Sequence, residues 1–157
     1  MDFDTAFQKL LGHEGNYSND PLDAGGETRY GVSKRAYPNE DIANLTIERA
    51  KEIYRRDYWG PAGCDAVPDP LKFDLFDMAV NAGVKTAIKA LQHAVSETED
   101  GILGHRTLQA IQSAPAWRIL MRFYAARLVL YTKADDARWG RFGRGWVRRV
   151  AQNMEAQ

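Results

Sequence analysis

The sequence is nearly without cysteine. Cys64 stands alone, so no internal disulfide can staple the chain, and its fold must rest on an apolar core. A single cysteine of this kind reads as a small buried hydrophobe before it reads as a nucleophile. Histidine is scarce as well. His13, His93 and His105 form no HExxH pattern and have no cysteine partners, so no structural zinc is expected. The acids in DPLDAGGE, residues 20–27, depart from calcium-loop spacing, which removes that metal too. The expectation is a protein with no metal and no cofactor. Long apolar runs are also missing, and nothing approaches the roughly 18 residues of a membrane-crossing helix. The opening MDFDTAFQKLLGHEG has acids where a secretory signal would have bases, and its apolar positions are spaced. Synthesis in the cytoplasm without a signal peptide is the expectation.

A surplus of charge of either sign is absent overall, with 21 Lys and Arg against 21 Asp and Glu, but the distribution is uneven. From Ala114 onward there are nine basic residues (Arg118, Arg122, Arg127, Lys133, Arg138, Arg141, Arg144, Arg148 and Arg149) against Asp135, Asp136 and Glu155. The residues before Ala114 carry the matching negative excess. Such an end is either a contact surface for an anionic wall polymer or membrane, or a solvated helical face, and the sequence leaves both open. No nucleic-acid motif accompanies it, so no nucleic-acid partner is expected, and a monomer is.

With 45% hydrophobic and 27% charged residues in 157, the chain has the composition of one globular domain or one domain of two lobes. Alternating β-branched residues are almost missing, whereas apolar residues recur at helical spacing. The pattern predicts helices over 3–13 (capped by Asp4), 46–58 (capped by Thr46), 71–82, 86–95, 105–112, 115–133 and 143–153. In the sixth, Trp117, Leu120, Met121, Tyr124 and Leu128 share the expected inner face. Trp117, Trp139 and Trp146 are expected in the core. The class is mainly α, with at most a small β-hairpin near residues 15–31 and a soft lobe boundary near Gly83.

Chemistry concentrates in LLGHEGNYSNDPLDAGGETRYGVS, residues 10–33. Glu14 follows a helix whose C-terminal dipole disfavours a carboxylate by about 0.3–1 kcal/mol. The same field raises the pKa of an acid, which suits a general acid that must hold a proton at neutral pH. A solvated Glu in a fraying turn is the alternative. The glycines at 25, 26 and 31 let the loop turn back so that Asp23, Glu27 and Thr28 can face Glu14. Two carboxylates across a bond are what glycoside hydrolysis needs, one to protonate the leaving oxygen and one to stabilise the sugar cation or activate water. Thr28 can hold that water. Equally, Asp23 and Thr28 can serve as turn residues. Tyr17 and Tyr30 flank the loop as stacking platforms or as core. Asn81, before Gly83, is either a donor to an N-acetyl group or a residue of an ordinary helix end.

These residues carry a resemblance. Glu14-Gly15-Asn16-Tyr17, Asn19-Asp20-Pro21, Asp23, Gly25-Gly26-Glu27-Thr28 and Tyr30-Gly31-Val32-Ser33 are similar to the opening of glycoside hydrolase family 108, the phage and bacterial N-acetylmuramidases. Asn16 stands where the family has a second Gly. Phe73-Asp74 through Met78-Ala79-Val80-Asn81-Ala82-Gly83 resembles its second block. Residues 91–111, with Asp100-Gly101, Gly104 and Thr107, resemble its peptidoglycan-binding region, and FGRGWVRRV at 142–150 resembles its closing segment. The resemblance implies a lysozyme-like fold of two lobes around a cleft, with residues 1–83 as a catalytic lobe and 84–157 as a helical peptidoglycan-binding lobe. It implies an endolysin-type muramidase with Glu14 as catalytic acid, acting at the cell wall or periplasm after release. Asp23 and Thr28 resemble the acid–Asp–Thr set of phage lysozymes. A lytic transglycosylase, or a wall-binding module without activity, remains the alternative.

Overall fold

The computed structural model describes residues 1–12 and 26–156. Glu14, Tyr17 and Asp23 lie outside the described residues. Among those described, seven α-helices and one two-stranded antiparallel sheet make the chain mainly α. It divides into two compact units, residues 2–57 and residues 58–157, with Met1 belonging to the second. Gly83, the boundary expected from sequence, falls inside the second unit.

In the first unit, α1 (Phe3–Leu11) buries Phe3, Ala6, Phe7 and Leu10. Its cap is Asp2, whose carboxylate accepts from the Thr5 amide at 2.9 Å. Asp4, the residue expected to cap, is already inside the first turn and pairs with Lys51 at 2.8 Å. The physical reason is backbone geometry: Asp2 is extended and can aim its side chain back at a free N–H, which a helical residue cannot. Two short strands follow, β1 (Thr28–Arg29) and β2 (Val32–Ser33), with Thr28 opposite Ser33 and Arg29 opposite Val32. The hairpin thus closes two residues beyond the expected 15–31 span. Then α2 (Ile47–Tyr54) starts as the sequence implies, with Thr46 accepting from the Arg49 amide at 3.1 Å. Ala50, Ile53 and Tyr54 are its buried face, and the Phe7 and Tyr54 rings meet at 5.6 Å. Residues Arg55–Trp59 continue as one π-helical turn.

The second unit is built around α3 (Asp69–Ala82). Eight of its residues, Leu71, Phe73, Asp74, Leu75, Phe76, Asp77, Met78 and Ala79, are buried. A helix buried on nearly all sides is the central one. It starts two residues before the expected 71 because Pro70 sits in its first turn, where proline has no hydrogen bond to lose. Gly83, at φ 91° and ψ 147°, turns the chain directly into α4 (Val84–Ala94), a conformation open to glycine alone at little strain. Then come α5 (His105–Gln112), α6 (Ala116–Tyr131) and α7 (Asp136–Glu155). Helix α4 packs between α3 and α6, and α7 packs on α6. Trp59 is buried edge-on against Phe76 at 5.4 Å. Cys64 is buried, and burial pushes its thiol up to about 12, so it is no thiolate at neutral pH.

Three expectations about the second unit are corrected. The inner face of α6 is Leu120, Phe123, Tyr124, Arg127 and Tyr131, with Ile119 beside it, whereas Trp117, Met121 and Leu128 face outward. Of the three tryptophans expected in the core, Trp117 is 61% exposed and Trp139 43% exposed. And α7 runs seven residues earlier than expected, since Asp135 caps it through the Arg138 amide at 2.9 Å and packing of Val150 and Asn153 outweighs the helix-weakening glycines.

The Asp100-Gly101-x-x-Gly104-x-x-Thr107 segment is organised from α4. Gln92, buried, donates through Nε2 to Asp100 Oδ1 at 2.7 Å, to the Ile102 carbonyl at 3.0 Å and to Thr107 Oγ1 at 3.3 Å. Its Oε1 accepts from the Gly101 amide at 2.9 Å. Gly101 sits at φ 79°, and a Cβ there would stand 2.5 Å from Lys85 Cγ. Side chain and backbone polar groups of the motif thus satisfy one another around a single amide.

Candidate active site

The described part of the loop ends in a two-residue hairpin. Tyr30 at φ 51° and Gly31 at φ 76° both lie in the left-handed region, which is the requirement of a type I′ turn matched to the twist of its strands. Glycine adopts this freely. Tyrosine does so at a strain of about 1–3 kcal/mol, and its surroundings fix it there: the Tyr54 hydroxyl donates to the Tyr30 carbonyl at 3.0 Å, and the Arg29 guanidinium lies 5.5 Å from the Tyr30 ring centre. Arg29 also donates to the Ala43 carbonyl. Tyr30 is thus a half-buried aromatic at the tip of a pinned turn.

Thr28 and Glu27 stand at the base of the same hairpin. The Lys34 amide donates to the Glu27 carbonyl at 2.8 Å, closing the strand pair. The Thr28 hydroxyl donates to the Gly26 carbonyl at 3.2 Å, so its proton is engaged and its lone pairs are the side that can receive a water proton. Both residues are half-buried. The hairpin therefore brings Glu27, Thr28 and Tyr30 together. Asn81 belongs to the other unit, in the last turn of α3. Its Oδ1 accepts from the Tyr131 hydroxyl at 3.3 Å, and it lines a recess with Thr86, Tyr131, Lys133, Arg138 and Trp146.

Behind Asn81 lies an ionic cluster. Asp77, fully buried, accepts from Arg127 Nη1 and from Arg149 Nε, each at 2.7 Å. Asn153 Nδ2 bridges Asp74 at 3.1 Å and Asp77 at 3.0 Å, and Arg127 Nε donates to the Tyr131 hydroxyl at 2.6 Å. Burial works against the Asp77 charge, but the two guanidinium groups outweigh it and hold the carboxyl below the usual carboxylate range. The same exchange holds the Arg127 pKa above its ordinary value, and burial raises that of Tyr131. Asp77 and Arg127 are closed to solvent, so no substrate reaches them. The cluster ties α3, α6 and α7 together. Among the described residues no three His, Cys, Asp or Glu side chains converge as metal ligands would.

The family model described as glycosyl hydrolase 108 matches residues 7–83. Among solved structures, that of Brucella abortus SagA aligns with 98% of this chain and 92% of its own, at 30% identity and a TM-score of 0.88. The chain belongs to glycosyl hydrolase family 108. It is therefore a glycoside hydrolase by family, with a mainly helical, lysozyme-like fold. No curated protein sequence matches it.

Within this family 108 chain, the matched segment runs from α1 to Gly83 and encloses Glu14, Tyr17, Asp23, Glu27, Thr28, Tyr30 and Asn81. Residues 84–157 lie beyond that model, whereas the alignment with SagA covers 98% of the chain. Sequence reasoning missed the Asp77 cluster. Its signal was Asp74 and Asp77 at i, i+3 in an otherwise apolar helix, and Arg127 on the inner face of another. A buried carboxylate calls for buried cations or hydrogen-bond donors beside it.

Proposed function

We propose that this glycoside hydrolase cuts peptidoglycan at the β-1,4 bond between N-acetylmuramic acid and N-acetylglucosamine, with Glu14 as general acid. The observation that carries the reading is the family match over residues 7–83, which spans the whole Glu14-to-Ser33 motif. In sequence Glu14 stands two residues after Gly12, where α1 ends, and the role of general acid requires it to hold a proton at working pH. In this reading Glu14 gives its proton to the leaving glycosidic oxygen. Asp23 supports the positive charge at the sugar or takes the proton of the incoming water, and Thr28 receives a hydrogen bond from that water. Tyr17, Glu27, Tyr30 and Asn81 bind the glycan. Release from the cytoplasm and action at the wall, as an endolysin, goes with this reading.

The test is turnover of purified peptidoglycan by Glu14→Gln. Loss of turnover with an unchanged circular dichroism spectrum is expected, and full activity in that variant would remove Glu14 from the chemistry. Mass spectrometry of the products of the unaltered chain decides between hydrolysis, which leaves reducing ends, and transglycosylation, which leaves anhydro ends. Reducing ends are expected.

A further inference from the structure

Helix α7 carries two features that the hydrolase reading does not use. First, no acid stands between Asp136 and Glu155, while Arg138, Arg141, Arg144, Arg148 and Arg149 do. Arg149 is committed to Asp77. The other four have no ion pair among the described residues, and Arg144 and Arg148 are exposed. Second, the helix leaves large apolar side chains uncovered: Trp139 is 43%, Phe142 44% and Val147 42% exposed.

These features share one surface. Trp139, Gly140, Gly143, Val147, Arg144 and Arg148 line a single open concavity along the helix. Gly143 gives it its form. A Cβ at that position would stand 2.8 Å from Trp139 Cδ2, so only glycine lets the indole lie down along its own helix. Gly140 has open space where a Cβ would be, so packing among the described residues does not call for glycine there. The result is an apolar strip, Trp139 to Val147, edged by two arginines, with Arg141 stacked 5.2 Å from Phe142 beside it.

We propose that this face of α7 docks on an anionic lipid bilayer, the helix lying in the headgroup plane. An indole at the polar–apolar boundary, apolar neighbours pointing into the acyl edge and arginines reaching lipid phosphates are the elements of an interfacial helix. No helix among the described residues is long and apolar enough to cross a membrane, so α7 lies on the surface and does not span it. A duplex nucleic acid or a polyphosphate chain is held by the arginines and offers no apolar phase for Trp139, Phe142 and Val147; a bilayer uses both. The inference is independent of the hydrolytic reading.

The experiment is co-sedimentation of the full chain with phosphatidylcholine vesicles, with and without phosphatidylglycerol, over a salt series. Binding to the phosphatidylglycerol vesicles that falls as salt rises, and little binding to phosphatidylcholine alone, is expected. Arg144→Gln with Arg148→Gln should weaken it about fivefold per arginine. Trp139→Ala with Val147→Ser should weaken it as well, at unchanged thermal stability and unchanged turnover of soluble glycan. Three results would overturn the proposal: no association with phosphatidylglycerol vesicles at low salt, binding indifferent to the arginine pair, or binding indifferent to the Trp139 and Val147 pair. The salt series on the unaltered chain needs no variant, so a poorly folding substitution leaves the test intact.

Discussion

Replacing Asp77 by Asn tests the central tie of the second unit. The side chain keeps its shape and loses its charge, and Arg127 is left buried without an ionic partner. Two guanidinium groups at 2.7 Å from one carboxylate represent gross attractions of roughly 6 kcal/mol each at an effective dielectric near 20. Desolvation offsets most of this, and breaking one side of such a buried pair costs about 3–5 kcal/mol net. In a chain of this length that lowers Tm by roughly 6–20 °C. The assay is thermal unfolding of the unaltered chain, Asp77→Asn, Arg127→Met and the double variant at neutral pH. The double variant should lose less than the sum of the singles, by about 1–3 kcal/mol, since the two residues are in contact. The pH dependence follows from the depressed Asp77 carboxyl. Its contribution is fully present above the unfolded carboxylate value near 3.9 and is lost as pH falls through the lower folded value. The gap between the unaltered chain and Asp77→Asn should therefore narrow only in strong acid. A Tm change under about 3 °C, or strict additivity in the cycle, would refute a buried, mutually dependent pair.

Gln92→Leu should leave the Gly101 amide without its acceptor, while Asp100 still accepts from the Ile102 amide, destabilising by about 1–3 kcal/mol. Amide hydrogen exchange at Gly101 and Ile102 should speed up before that of the α3 core. Gly31→Val places a β-branched residue at φ 76°, and urea unfolding should show a loss of about 1–3 kcal/mol. Because the hairpin carries Glu27 and Thr28, turnover should fall along with stability, whereas Gly31→Asn should be mild in both.

Much of the molecule was written locally. The caps at Thr46 and Gly83, the helices at 105–112 and 116–131, and the turn chemistry of Gly31 depend on backbone preferences that a short window of sequence contains. So does the pattern from Glu14 to Ser33, in which acids, glycines and a threonine stand at fixed spacing. What required the tertiary structure is whatever depends on a distant partner. Arg127 belongs to the inner face of α6 only because Asp77, fifty residues earlier, waits there, and a periodicity that treats arginine as a surface residue turns that helix the wrong way. Gln92 has no local reason to be buried until the Asp100 segment folds over it. Helix α7 is longer than its glycines permit in isolation because Val150, Asn153 and Arg149 anchor its far half. Short-range rules fix where helices begin and which turns can form. Burial of charge is favourable only when its counter-charge is buried with it, and that pairing exists only in three dimensions.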